Sequence, residues 1–367
     1  MLDAERSAWL RLCLLPGVGR RTALRLLQAF GSVEQLFEAS DSDLRALGGE
    51  RLPALVRAHP PDWPALCERT HVWLQAGDDR HLLPLGHPQY PPLLLQGPDP
   101  PLLLHVHGQL QALQSPCLLG VVGSRQATAQ GIDHARRFSA TLAAQGVCIV
   151  SGLAAGVDGA AHEGALEGGG LTVAVVGTGL DRVYPARHQA LARRIVQQGA
   201  MVSEYPLGTP PLPAHFPQRN RLIAGLSQGT LVVEATLQSG SLITAQQALE
   251  QGREVFAIPG SIQAPQSRGC HALIKQGAQL VESAQDVLDV LLPQQAPLPL
   301  ANGPASPLAA TDDPLLQALG HDPIGLDALL ARTGLAVDVL QARLLTLELD
   351  GRLARLPGGL FQQRALG

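Results

Sequence analysis

Arginines in glycine-containing loops are the residues of this sequence best suited to hold an anion. The segment VVGSRQATAQG contains Gly123, Ser124 and Arg125 directly after an apolar run. Glycine lets the backbone approach a ligand, and a serine hydroxyl, the amides ahead of a helix and a planar guanidinium all bind phosphate oxygens. An ordinary turn whose arginine pairs with a carboxylate has the same spacing, so these residues alone favour neither alternative.

Two further segments place arginines beside aromatic residues. In GTGLDRVYPARHQ, Arg187 follows a Tyr-Pro pair, and HFPQRNR brings Phe216, Arg219, Asn220 and Arg221 into one short stretch. A base can stack on an aromatic ring while arginines hold phosphates, and each stacked base contributes about 1–3 kcal/mol. The same stretch suits a structural role in which an arginine donates to carbonyl oxygens at a helix start. The convergence of arginine, aromatic and glycine residues favours nucleic acid.

The second of these stretches predicts a division of roles. Neighbouring side chains of a helix diverge by about 100°, so Phe216, Arg219 and Arg221 cannot all face one groove. We therefore predict that the phenylalanine stacks on a base and that one of the two arginines holds a phosphate. The other arginine, together with Asn220, is expected to brace the loop.

Enzymatic chemistry is less well supported by the spacing of reactive residues. Ser151, Asp158 and His162 have the residue types of a hydrolase triad, but a nucleophile elbow requires GxSxG and this serine is followed by Gly-Leu-Ala. Asp158 and His162 are four residues apart, which favours a local pair on one helix face. Adjacent Cys270 and His271 lack metal-ligand spacing, and no GxGxxG follows the first apolar run. We therefore predict no catalytic residue, metal or cofactor.

Short apolar runs bounded by glycine position these loops. The runs are CLLGVVG, GVCIVSG, LTVAVVG, AMVSEY, GTLVVEA and REVFAIPG, and helical patterns separate them. This alternation is typical of a doubly wound α/β fold with a parallel sheet. Loops at the carboxyl ends of parallel strands meet at one crevice, which would bring the arginine loops together. Ser239 and Gly240, after the fifth run, add a further helix N-terminus suited to an anion.

Composition and periodicity divide the chain into four parts. Residues 1–80 form an all-helical region, 81–291 the α/β domain, 292–313 a Pro/Ala linker without apolar periodicity, and 314–367 a small C-terminal domain. Three helical patterns and a hairpin in the last part are typical of a winged helix. In the first part, LPGVGRR resembles a helix-hairpin-helix, whose amides can face a phosphate backbone or whose turn can serve packing alone.

Composition limits the classes of function. The net charge is −4, the pI is near 6.3 and Lys275 is the sole lysine, so anion binding has to be local. Five scattered cysteines without a CxxC pair argue against a disulfide framework or a zinc site. No apolar run reaches the roughly 20 residues that a membrane span requires, so we expect a soluble cytoplasmic protein.

These motifs resemble the DprA/Smf family of bacterial DNA-processing proteins. The segments GSRQATAQG, SGLAAGVDGAAHEGAL, GTGLDRVYP, HFPQRNRLIAGLSQGTLVVEATLQSGS and SRGCHALIKQGAQLV carry the resemblance, which covers residues 80–291 densely. It implies an extended Rossmann-like domain that forms a homodimer, a sterile-alpha-motif-like N-terminal domain and a winged-helix tail. It also implies a non-enzymatic protein that binds and protects incoming single-stranded DNA in natural transformation and loads the recombinase RecA onto it.

The resemblance also assigns roles to individual residues. Arg125 is its strongest phosphate ligand, and residues 216–221 match the family's Phe-Pro-x-Arg-Asn-Arg segment. Many relatives have a lysine directly after the Tyr-Pro pair. Ala186 stands at that position here, which makes Arg187 the candidate for the same cationic contact.

The alternative is an enzyme of the same extended Rossmann group. Nucleotide phosphoribohydrolases have a Pro-Gly-Gly-x-Gly-Thr run followed by a catalytic glutamate, and Glu234 lies near the corresponding strand end. This sequence has EATLQSGSLITA in place of that run. Nucleotide hydrolysis is therefore the less favoured function.

Overall fold

The computed structural model of the chain describes residues 2–292, 314–320, 323–350, 352–356 and 359–363. The predicted linker, apart from its first residue, lies outside the described residues. The exact domain boundaries stay predictions.

The N-terminal region is helical, as predicted. Serine side chains cap two of its helices, where Ser32 accepts from the amide of Gln35 and Ser40 accepts from that of Asp43. A leucine-rich core joins the helices and includes Leu102 from the following segment, so the region packs directly on the central domain. Within the described residues, its helices are α1 (Ala4–Cys13), α2 (Arg20–Phe30), α3 (Val33–Glu38), α4 (Asp41–Gly48), α5 (Leu52–Arg57) and α6 (Trp63–Gln75).

A mostly parallel sheet forms the centre of the molecule. In the described part of the chain its strands are β1 (Arg80–Pro84), β2 (Leu103–Gly108), β3 (Leu118–Val122), β4 (Cys148–Ser151), β5 (Thr172–Val175), β6 (Ala200–Ser203), β7 (Gly229–Val232), β8 (Glu254–Ala257) and β9 (Gln279–Leu280). Their spatial order is β1-β2-β6-β5-β4-β3-β7-β8-β9, parallel from β6 to β9 and antiparallel at β1 and β2. Every residue of β3 to β7 is buried, which explains why these strands have continuous apolar sequences.

Helices cover both faces of this sheet and enclose two hydrophobic cores. They are α7 (Pro92–Leu95), α8 (Ala129–Ala144), α9 (Val157–Glu167), α10 (Gln189–Gln198), α11 (His215–Leu226), α12 (Ser241–Glu250), α13 (Arg268–Lys275) and α14 (Ala284–Leu291). The order of the strands reverses between β3 and β7, and this reversal is the point where a doubly wound sheet opens a crevice. The predicted doubly wound α/β fold is confirmed.

Small residues in α9 allow the close approach of a neighbouring helix. A Cβ atom at Gly164 would lie 2.1 Å from the carbonyl oxygen of Arg136, and one at Gly168 would lie 2.3 Å from that of Ala140. Both carbonyls belong to α8. Any side chain at either glycine would therefore push α8 and α9 apart, together with the loops that precede them at the carboxyl edge of the sheet.

The C-terminal domain has the predicted winged-helix architecture. Its described elements are α15 (Pro314–Leu319), β10 (Ile324–Gly325), α16 (Leu326–Thr333), α17 (Val337–Leu349), β11 (Leu353–Leu356) and β12 (Leu360–Gln363). The strands pair in the order β10-β12-β11 around a leucine core, and sequence periodicity did not reveal the two-residue β10. Gln362 contacts the central domain, where its Nε2 donates to Oε1 of Gln130 at 2.9 Å.

Two fully buried histidines predict acid sensitivity of the fold. Burial lowers the pKa of His105 to about 4 and that of His162 to about 3. In the unfolded chain each histidine binds a proton below about pH 6.5, whereas in the folded chain it stays neutral. The free energy of unfolding therefore decreases as the pH is lowered, by about 2 kcal/mol per histidine at pH 5. We expect urea denaturation to show this loss between pH 7 and pH 5. His162→Asn should remove roughly half of it, and an unchanged pH dependence in that variant would contradict the assignment.

Candidate nucleic-acid interface

A cavity of about 700 Å³ lies at the strand-order reversal, between the loops that follow β3 and β7 and the start of α11. Of the ten residues predicted as a nucleic-acid site, eight line it: Gly123, Ser124, Arg125, Phe216, Arg219, Asn220, Ser239 and Gly240. The structure therefore brings together loops that are more than a hundred residues apart in the sequence. Arg187 and Arg221 do not line the cavity.

The loop after β3 is held rigidly against its neighbours. A Cβ atom at Gly123 would lie 2.6 Å from Cγ2 of Val157 and 3.0 Å from the carbonyl oxygen of Glu234, so only glycine fits. The backbone amide of Ser124 donates to that same carbonyl at 2.8 Å, and its own carbonyl accepts from Val157 at 3.2 Å. The Ser124 hydroxyl accepts from the amide of Gln126 at 3.1 Å, which leaves its proton available to a ligand oxygen.

Arg125, Phe216 and Tyr184 form a partly exposed cluster at the mouth of the cavity, with the two rings tilted by 44° to each other. Cζ of Arg125 lies 5.2 Å from the centroid of the Phe216 ring, which in turn lies 5.6 Å from the Tyr184 ring. Arg125 is exposed and forms no ion pair with any residue of the described ranges, and Tyr184 is 49% exposed. The cluster thus combines an unpaired cation with two aromatic faces, the combination that binds phosphate and stacked bases.

The N-terminus of α12 forms the opposite wall. Its cap residue, Gly240, provides no side-chain cap, and the amides of the first turn donate to the hydroxyl and carbonyl of Ser239 and to the carbonyl of Gly240. Hydroxyl groups are therefore the donors that this wall offers to an anion. The hydroxyls of Ser239 and Ser241 lie 2.7 Å apart, and Asn220 Nδ2 donates to the carbonyl of Gly240 at 3.4 Å. The buried hydroxyl of Thr244 lines the cavity and has no hydrogen-bond partner within the described residues. Polar donors therefore outnumber acidic groups on this wall.

Arg219 forms the floor of the cavity rather than its rim. It is 2% exposed, and its guanidinium donates to the carbonyl of Gly152 at 2.6 Å and to that of Val175. Burial lowers its pKa to about 10, although neighbouring Asp158 favours the charged form. Arg219 is therefore charged at neutral pH and ties the ends of β4 and β5 to α11.

Arg221 extends toward the N-terminal region. Its guanidinium pairs with Glu204 and donates to the carbonyl of Asp99 at 2.6 Å. Arg20, at the start of α2, reaches the same two residues, at 2.7 Å from Glu204 and 2.8 Å from Asp99. Arg20 is the first arginine of the predicted hairpin. This four-residue network therefore uses it to hold the N-terminal region against the central domain. Arg187 lies exposed in a single turn before α10, outside the cavity.

The comparison with known sequences agrees with this geometry. Residues 81–292 match the family described as DNA recombination-mediator protein A, and residues 299–359 match the DprA winged helix domain. The chain belongs to the DprA/Smf family. The predicted resemblance is confirmed, and the match extends into the C-terminal domain.

Two bacterial relatives illustrate the similarity in sequence. Protein Smf of Escherichia coli is 45% identical over 304 residues, which is 81% of either chain. A DNA processing protein DprA of Streptococcus pneumoniae is 50% identical over 190 residues, 52% of this chain and 67% of that protein.

Two solved DprA structures are also similar to this chain. The X-ray structure of DprA from Streptococcus pneumoniae has a TM-score of 0.68 at 38% identity and covers 79% of this chain and 99% of its own. A DprA structure from Helicobacter pylori has a TM-score of 0.53 at 30% identity, covers 58% of this chain and 96% of its own, and is described for its single-stranded DNA binding mode.

Glu234, the residue on which the enzymatic alternative depends, is engaged elsewhere in this DprA-family chain. Its carboxylate accepts from the Thr128 amide at 2.9 Å and from the Thr128 hydroxyl at 2.5 Å, at the start of α8. A Cβ atom at Gly131 would lie 2.3 Å from the carboxylate carbon, so glycine makes room for it. Burial raises the pKa of Glu234. Glu234 lines a second cavity of about 1050 Å³ beside the winged helix, which Arg125 does not line.

The described residues contain no cluster of side chains arranged to hold a metal ion. Among these same residues, no helix has both the length and the apolar character needed to cross a bilayer.

Of the residues that contribute to this cavity, sequence reasoning gave too little weight to Tyr184. A tyrosine beside proline in a basic loop was a usable signal for a stacking surface. Ser241 and Thr244, which follow Ser239 and Gly240 in the same predicted helix start, also line the cavity.

Proposed function

We propose that this chain is a recombination mediator that binds single-stranded DNA in the cavity at the carboxyl edge of its central sheet. In this proposal it protects incoming DNA during natural transformation and loads RecA onto it, acting in the cytoplasm as a homodimer and without catalysis. The observation that carries the proposal is the cluster of Arg125, Phe216 and Tyr184, because it offers an unpaired cation beside two aromatic faces. The family match and the DNA-binding Helicobacter pylori relative support it.

Stacking on this cluster favours single strands over duplex. A base must leave its own stack to lie on the Phe216 or Tyr184 ring, and the bases of a duplex are paired and enclosed. Phosphates on either side of the unstacked base can then reach Arg125 and the serine hydroxyls at the N-terminus of α12. No base edge has to be recognised, so little sequence preference is expected.

We expect fluorescence anisotropy with labelled oligo-dT to show binding that weakens as salt is added. On single strands the logarithm of the affinity should fall with a slope of about 0.7 per neutralised phosphate. A duplex of the same length should bind more weakly. Equal affinity for the two forms, or binding that is independent of salt, would contradict the proposed function.

The enzymatic alternative is tested in the same preparation. Incubation with nucleoside monophosphates should release no free base, because the Glu234 carboxylate is held by Thr128 outside the proposed site. Base release that disappears in Glu234→Gln would favour the phosphoribohydrolase alternative instead.

A further inference from the structure

Helix α17 of the winged helix exposes leucines on the side opposite to its core. Leu340, Leu344 and Leu347 are buried in the leucine core of the domain. Leu345 and Leu349, one turn apart, are 56% and 80% exposed. Because helical residues rotate by about 100° each, these two side chains project away from the buried leucines.

The exposed leucines belong to a longer apolar surface. Eight of the thirteen residues of α17 are valine, leucine or alanine. Ala342 lies three residues before Leu345, and Leu345 lies four residues before Leu349, so the three side chains form one row. A contiguous row of exposed apolar side chains is typical of an interaction surface.

Carboxylates surround this row. Asp338 lies one turn before Ala342, Glu348 lies three residues after Leu345, and Asp350 caps the helix at its C-terminal end. Arg343 is the sole basic residue of α17; it projects about 100° away from Ala342, on the side where Asp350 lies seven residues later.

The position of α17 corresponds to the helix that enters the major groove in DNA-binding winged helices. Base edges and phosphates there require donors and cations, whereas this surface offers leucines and three carboxylates. Phosphates would be repelled from it.

We propose that the outward face of α17 binds a cationic amphipathic helix of a partner protein. An apolar row on the partner would cover Leu345 and Leu349, in the manner of a helix laid into an apolar surface. Lysines or arginines flanking that row would meet Asp338, Glu348 and Asp350. Charge complementarity therefore selects the partner, and this docking face does not depend on the DNA site of the central domain.

The test uses the full chain and a fluorescein-labelled designed helical peptide, with leucines at positions i, i+3, i+4 and i+7 and lysines on both flanks. The unmodified protein should bind this peptide at least about tenfold more tightly than the same peptide with glutamates in place of lysines. Leu345→Ser/Leu349→Ser should weaken binding of the lysine peptide by about tenfold or more. Asp338→Asn/Glu348→Gln/Asp350→Asn should weaken it and reduce its salt dependence.

Leu47→Ser, which changes an exposed helical leucine of the N-terminal region, is the matched control and should leave peptide binding unchanged. Circular dichroism should show that the leucine variants remain folded, and their affinity for oligo-dT should match that of the unmodified protein. The proposal is wrong if the lysine peptide does not bind, or if Leu345→Ser/Leu349→Ser binds it normally. It is also wrong if that variant loses affinity for duplex DNA, or if sedimentation shows that it abolishes self-association, since the occupant would then be DNA or a second copy.

Discussion

Arg125→Ala is expected to weaken binding of oligo-dT by roughly tenfold to a hundredfold, which corresponds to the ~1.5–3 kcal/mol of a charge-assisted hydrogen bond. The side chain is exposed and has no ion-pair partner in the described part of the chain, so its charge is available to a phosphate. Because one phosphate contact is lost, the salt slope should fall by about 0.7. Fluorescence anisotropy across a salt series measures both quantities.

Two matched variants make this result specific. Arg137→Ala removes another exposed arginine, one that pairs with Asp133 at 3.7 Å on α8, and should leave affinity and slope unchanged. Phe216→Ala should lower the affinity by about 1–3 kcal/mol with almost no change in slope, because stacking involves no counterion release. If Arg125→Ala instead lowers the melting temperature while its folded fraction binds normally, this arginine serves the structure alone.

The location of the site was predictable because strand order constrains it. Buried parallel strands have continuous apolar sequences, and the loops at their carboxyl ends meet at one edge. Gly123, Phe216 and Ser239 therefore line one cavity although they come from two loops and the first turn of α11. Tertiary packing did not have to be known for that inference.

The sequence could not predict which way each arginine side chain points, because that depends on hydrogen-bond and ion-pair partners that are distant in the sequence. Arg20 and Glu204, 184 positions apart, meet at 2.7 Å, and no local pattern indicates this pairing. Both Arg219 and Arg221 donate to backbone carbonyls, whereas the sequence predicted such a bracing role for one of them and a phosphate contact for the other. The DNA contacts of Arg187, Arg219 and Arg221 stay predictions.

Strands β1 and β2, the antiparallel edge of the sheet, were not predicted from the sequence, and the reason is physical. Prolines in HLLPLGHPQYPPLL and GPDPPLLLHVHG indicated extended backbone but no pairing. Strands β1 and β2 nevertheless pair from Arg80 to Pro84, with Pro84 at the end of the outermost strand. At an edge, the missing amide of a proline costs no ladder hydrogen bond.

Arg219→Met is expected to cost about 3–5 kcal/mol of folding stability, the typical result of removing one member of a buried charge pair. The change leaves the carbonyls of Gly152 and Val175 without their donor and removes the stronger of the two cationic attractions on buried Asp158, the weaker being that of Arg125. Burial already raises the pKa of Asp158, and loss of the guanidinium raises it further. A carboxyl group whose pKa is raised by folding destabilises the folded chain at a pH above that pKa. This destabilisation disappears as the carboxyl group becomes protonated. The stability difference from the unmodified protein should therefore be largest at neutral pH and shrink as the pH falls.

Urea denaturation of Arg219→Met, Asp158→Asn and the double variant separates this role from DNA binding. Since the double variant removes both charges, it should be more stable than Arg219→Met alone. At a temperature where Arg219→Met remains folded, its salt slope for oligo-dT should equal that of the unmodified protein. A normal melting temperature combined with a slope lower by about 0.7 would show instead that Arg219 neutralises a phosphate and that the floor of the cavity, rather than its rim, holds the strand.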